Sequence, residues 1–141
     1  MSKIIAISEA VGIGLHSMAL TARAKRPLNA THIAEITGSS KHHIAKVMQR
    51  LVKSGLLKST RGPAGGFVLN KAPEEITLLD IYEAIEGHLN IYSCPLEQHE
   101  CVMGQCLLER IAGSITQEFV KHMRSTTLAE VNKLKFKDFN L

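Results

Sequence analysis

The chain has 141 residues, of which 45% are hydrophobic and three are cysteine, and its formal net charge is +4. That is enough apolar material for one packed domain, or a small domain with an extension; it excludes a disordered chain, and no apolar run approaches the roughly 20 residues that cross a bilayer. The charge is unevenly placed: residues 1–75 carry eleven Lys/Arg against four Asp/Glu, while residues 76–141 carry six against nine, so the first half suits a polyanion and the second does not.

Ile7, Val11, Leu15, Met18 and Ala22 recur at helical spacing, which predicts a first helix from Ser8 to about Ala24 that buries this stripe. Lys25, Arg26 and Pro27 end it. Asn29 is a good N-cap for a short helix through Thr37, with Ile33 and Ala34 inward and Gly38 as its C-terminal breaker. Ser39 or Ser40 caps the next helix, which runs to about Ser54 and stops at Gly55. Two short helices joined by a tight turn, after a longer first helix, are the arrangement of a helix-turn-helix.

The second of these short helices sorts its residues by chemistry. Ile44, Val47, Met48 and Leu51 form an inward stripe, while Lys41, His42, Lys46, Gln49, Arg50 and Lys53 remain outside as a polar, cationic face that suits a major groove. Base readout needs donors near the helix N-terminus, where Ser40, Lys41, His42 and His43 sit, and phosphate contacts need cations further along, where Lys46 and Arg50 sit. Next come Leu56 to Thr60, the tip Arg61-Gly62-Pro63-Ala64-Gly65-Gly66, and Phe67 to Leu69, which together read as a two-stranded hairpin with a rigid tip. As a wing it places Arg61 beside the duplex, with Gly62, Pro63, Gly65 and Gly66 permitting close approach to the sugar-phosphate backbone.

Beyond Pro73, Thr77 and Asp80 have the spacing of a capping box for a helix through about Glu86, with Ile76, Leu79, Ile81 and Ile85 as core and Gly87 as its end. From about Gly104 to Met123 the pattern is helical again, with Leu108, Ile111, Ala112, Ile115, Phe119 and Met123 on a stripe wider than one small domain needs. Such a surplus predicts a dimerisation helix, and hence two half-sites of a palindrome in double-stranded DNA. A short helix from Thr126 to Lys133 comes next, and the tail from Lys135 to Leu141 is expected to fray. The fold class expected is mostly α with a small two-stranded β wing, divided into a winged helix-turn-helix domain (1–75), a connecting helix with the cysteine-containing loop (76–103) and a dimerisation helix with a short last helix (104–141).

All three cysteines lie between Cys94 and Cys106, with Cys101 between them. Three thiols cannot all pair, and soft thiolates converging in a reducing compartment point to iron-sulfur or zinc. Zinc usually takes four ligands and often a Cys-x-x-Cys knuckle, which is missing, so a cluster fits better; buried or redox-active thiols are the plainer alternative.

The chain resembles the bacterial winged-helix iron-sulfur regulators of the IscR and NsrR type along nearly its whole length. The resemblance is carried by Ile7-Ser8 through Leu15-His16, by Gly38 to Leu57, by Arg61 to Gly66 and by Thr127-Leu128-Ala129-Glu130-Val131, and its most specific parts are the wing and the three-cysteine segment. It implies a homodimer whose long helices cross, with Cys94, Cys101 and Cys106 as ligands of an iron-sulfur cluster, two-iron or four-iron. The fourth ligand departs from the family pattern. One family type has a histidine where this chain has Glu109, and another uses an acid from the partner's first helix where this chain has Gly12. Glu109 is the first choice, with His99, Glu9 or His16 as alternatives.

The function expected is that of a cytoplasmic, DNA-binding transcription regulator, a repressor by resemblance, switched by a cluster that senses nitric oxide, iron or redox state. The alternative is a zinc- or thiol-redox-based regulator of the same fold. An iron-sulfur redox protein or enzyme fits less well, because no phosphate loop and no paired acid and base accompany the cysteines.

Overall fold

The computed structural model describes residues 7–89, 103, 109–139 and 141. Among these residues, α-helices and a two-stranded antiparallel sheet succeed one another in the order α1 (Glu9–Arg23), α2 (Ala30–Thr37), α3 (Lys41–Lys53), β1 (Leu57–Thr60), β2 (Gly66–Leu69), α4 (Leu78–Glu86), α5 (Glu109–Ser125) and α6 (Leu128–Val131), with a 3-10 turn at Pro73–Glu75.

Local chemistry sets most of these boundaries. Ser8, Asn29, Ser40, Thr77 and Thr127 each turn a side-chain oxygen onto a backbone N–H three residues on, satisfying one of the donors that a helix start leaves over. Thr77 with Asp80 and Thr127 with Glu130 complete reciprocal capping boxes. Gly38 ends α2 with φ +69°, a left-handed conformation that costs glycine little. Of the two serines before α3, Ser40 is the cap.

The core is one cluster built on Val11, Met18, Leu28, Ile33, Ile44, Met48, Leu51, Leu57, Ile76, Ile81 and Leu128, and α5 joins it through Val120 and Met123. Tyr82 of α4 meets Phe119 of α5 edge to face, with centroids 5.7 Å apart. The expected inward stripe of α1 is right at Val11 and Met18, but Ile7 precedes the helix and is 64% exposed, and Ile13, Ala19 and Leu20 are buried in its stead.

The sheet pairs Leu57 with Leu69 and Thr60 with Gly66, and a bridge between Leu28 and Phe67 adds the α1–α2 connector as a one-residue third strand. At the other end of the domain Thr77 bridges Thr127: Leu78 N–H donates to the Thr126 carbonyl at 3.0 Å, and Leu128 N–H donates to the Ile76 carbonyl at 2.9 Å. The tail beyond α6 does not simply fray. Arg23 sets its guanidinium over the Phe136 ring at 4.4 Å and donates to the Asn132 carbonyl at 2.9 Å, which holds residues 132–136 against α1.

Candidate nucleic-acid interface and cysteine segment

The buried stripe of α3 determines what its other face can do. Ile44, Val47, Met48 and Leu51 are all at most 2% exposed, which fixes the roll of the helix about its axis and turns Lys41, His42, Lys46, Gln49, Arg50 and Lys53 to solvent. The Ser40 hydroxyl accepts from His43 N–H, so the helix begins at Lys41 with three cationic or imidazole side chains, Lys41, His42 and His43, on its first turn. The free amides and positive dipole end at this terminus favour an anion such as a phosphate.

Two residues on this helix have partners within the protein. His43 is half-buried, with Nδ1 3.9 Å from a Glu9 carboxylate oxygen on α1; so open a pair adds little stability but places the imidazole beside α1. Arg50 donates from Nη1 to the Ile85 carbonyl of α4 at 3.1 Å. Arg50 is exposed, as the sequence predicts, and the bond to Ile85 is the part the sequence does not show, because its acceptor lies on another helix.

At the wing, Arg61, Gly62, Pro63 and Ala64 form an exposed tip. Gly62 has φ +102°. Gly65 and Gly66 are glycines for an internal reason as well: a Cβ on Gly65 would stand 2.4 Å from the Thr60 carbonyl oxygen, and one on Gly66 would stand 2.5 Å from that of Leu28. Thr60 Oγ1 locks the neck of the hairpin by donating to the Gly66 carbonyl and accepting from Gly66 N–H.

Cys94, Cys101, Cys106 and His99 lie outside the described residues. Glu109 opens α5. Among the described residues no group of three or more His, Cys, Asp or Glu is arranged to hold a metal. Glu9 and His16, the candidates on α1, both line a groove of about 750 Å³ between α1, the end of α2 and the C-terminal tail. His16 Nδ1 lies 2.7 Å from the Gly12 carbonyl oxygen, and the tautomer that donates there leaves the Nε2 lone pair available as a ligand.

The expected wide stripe of α5 divides in two. Ala112, Thr116, Val120 and Met123 are buried, the last two in the core cluster, whereas Ile111 is 60% and Ile115 50% exposed. Thr116 belongs on the inner face although it is polar, because its hydroxyl returns to the Ala112 carbonyl at 2.9 Å. Among the described residues no helix is long and apolar enough to cross a membrane.

Known proteins share this arrangement. The family model Rrf2, described as an iron-dependent transcriptional regulator, matches residues 7–133. YwgB of Bacillus subtilis, named as an HTH-type transcriptional regulator, is 32% identical over 106 residues, covering 74% of this chain and 68% of that protein. The HTH-type transcriptional regulator IscR of Erwinia tasmaniensis is 27% identical over 127 residues, covering 89% of this chain and 73% of the relative. The structure of CymR, the global cysteine regulator of B. subtilis, superposes with a TM-score of 0.75 at 27% identity over 94% of this chain and 99% of that one. T. potens IscR, at 23% identity and a TM-score of 0.71 over 94% of each chain, shares the fold. A match that takes in the whole of the helix-turn-helix, the wing and α5 makes this chain a member of the Rrf2 family of DNA-binding transcriptional regulators.

Proposed function

We propose that the protein represses transcription as a homodimer on a palindromic duplex, and that chemistry at Cys94, Cys101 and Cys106 sets its affinity for that operator. The observation that carries the DNA half is the division of α3 into a buried stripe and a polar, cationic face. Ser40, Lys41, His42 and His43 stand at the end of the helix that enters a major groove first, Lys46 and Gln49 lie one to two turns later, and Arg61 on the wing reaches toward the neighbouring minor groove. Ile111 and Ile115, turned away from their own domain, support a second copy across α5, which would present two recognition helices to the two half-sites.

The cysteines are read as ligands of an iron-sulfur cluster, with Glu109 as the fourth and Glu9, His16 or His99 as alternatives. Three thiols within one short segment supply the soft donors that iron prefers, and the family description names iron. When bound, such a cluster supplies a centre whose oxidation, reaction with nitric oxide or loss changes the ligands' demands on the chain. A second reading is favoured by the likeness to CymR: thiol chemistry at the same cysteines, with no cluster, performing the same switch.

An anaerobic visible absorption spectrum with iron and sulfide analysis separates the two readings. A brown protein with matched iron and sulfide, whose operator affinity changes when the cluster is removed, supports the cluster. A colourless protein after reconstitution, with operator affinity that tracks thiol oxidation, supports the thiol reading. Equal affinity in every state would remove the sensor and leave a DNA-binding regulator.

A further inference from the structure

Three elements meet at the last turn of α4. The Ile85 carbonyl accepts from Arg50 of α3, the Glu86 carboxylate accepts from the Ser8 hydroxyl that caps α1, and Ile85 Cδ1 packs so near α1 that a Cβ on Gly14 would stand 2.2 Å from it. Gly87 then stops the helix at φ +86°, and a Glu83 carboxylate oxygen holds the next two residues, 2.9 Å from His88 Nδ1 and 3.2 Å from Leu89 N–H. The carbonyls of a final helical turn lack intrahelical partners and carry the negative end of the dipole, so a guanidinium donated to one is a charge-assisted bond in a favourable place.

We propose that Arg50 is a positioning residue: it fixes the recognition helix α3 against the end of α4, and so sets the pose in which Ser40, Lys41, His42 and Lys46 meet the bases, without neutralising a phosphate itself. The inference rests on the DNA-binding reading above. The buried stripe sets the roll of α3, but apolar ridges tolerate small sliding and tilting; a directional bond from Arg50 to a fixed carbonyl removes that freedom at the C-terminal half of the helix. The same turn of α4 leads into residues 90–108, where the cysteines lie, so the bond also joins the recognition helix to the stretch of chain from which a signal would come.

The test separates position from charge. Duplexes selected from a random library by the wild-type chain, and an unrelated duplex of equal length, are titrated by fluorescence anisotropy from about 50 to about 200 mM salt with wild type, Lys46→Gln, Arg50→Gln and Arg50→Lys. Lys46→Gln lowers the salt slope by about 0.9 for each phosphate that the lysine had neutralised. Arg50→Gln leaves that slope at the wild-type value and reduces the preference for the selected duplex about tenfold, and Arg50→Lys, which keeps a donor, recovers most of it. Arg50→Met, which keeps the packing of the stem, replaces the glutamine variant if that one does not fold. A slope that falls with Arg50→Gln as it does with Lys46→Gln overturns the inference, and so does a preference that does not change. Wild-type protein without salt-dependent binding to any duplex would instead remove the DNA-binding reading on which the inference stands.

Discussion

Gly14→Ala probes how tightly α1 lies on α4. Gly14 is in mid-helix with ordinary helical geometry, so alanine should raise helix stability by about 1 kcal/mol. Against this, the new methyl would lie 2.2 Å from Ile85 Cδ1 and 3.5 Å from Val47 Cγ1, and overpacking of that kind costs about 1–3 kcal/mol. The single variant is therefore expected to be destabilised by about 0–2 kcal/mol. Ile85→Val removes the offending Cδ1 and alone costs about 0.5–1.5 kcal/mol. In the double variant the alanine methyl occupies the space that the δ-methyl left, so stability should return close to wild type, with a coupling of about 1–3 kcal/mol in favour of the pair. Urea denaturation of the four proteins measures this directly. Additivity within about 0.5 kcal/mol would refute the contact between α1 and the end of α4.

Gly66→Ala should be costlier for its size, at about 3 kcal/mol or more, because the atoms in its way are the Leu28 backbone, which cannot rotate aside as a side chain does; an unchanged denaturation midpoint would contradict the Leu28–Phe67 bridge. Ile111→Asp together with Ile115→Asp should leave helicity by circular dichroism intact and convert the protein to a monomer in light scattering, whereas a persistent dimer would place the interface elsewhere. Arg61→Ala removes an exposed side chain, so the unfolding midpoint should hold while operator binding weakens by about 1–3 kcal/mol in anisotropy titrations. Replacing Cys94, Cys101 and Cys106 by serine should abolish visible absorption and the response of operator affinity to reconstitution, while salt-dependent binding to unrelated duplex DNA survives.

How far the fold is legible in the sequence depends on which interactions are local. The helix pair from Asn29 to Lys53 is legible because caps at Asn29 and Ser40, the break at Gly38 and the spacing of Ile44, Val47, Met48 and Leu51 are all properties of adjacent residues. The capping box at Thr77 and Asp80 is legible for the same reason. The faces of α5 are not: periodicity groups Ile111, Ala112 and Ile115 as apolar, and only tertiary contact decides that Ala112 and polar Thr116 turn inward while the isoleucines turn out. Long-range polar contacts are equally hidden. Arg50 is the outward cation the sequence predicts, but its bond to the Ile85 carbonyl shows only in the fold, and Phe136 looks like part of a loose tail until Arg23 stands over it. At Gly65 and Gly66 the sequence points to a turn and to DNA, and the structure adds the chain's own backbone as a reason for both glycines.

The bridge between Thr77 and Thr127 has a bearing on how this chain can change over time. With the start of α4 and the start of α6 hydrogen-bonded to each other, everything between them, including the cysteine segment and α5, is a closed excursion whose two ends are tied at one point. Polymer statistics make the length of such an excursion inexpensive, since each doubling of a flexible loop adds only about 0.6 kcal/mol to the cost of closing it. The tie itself is made by residues 76–78 and 126–128 alone, whatever the length of chain that separates them. A fold with that property keeps the starts of α4 and α6 together across intervening chains of different length.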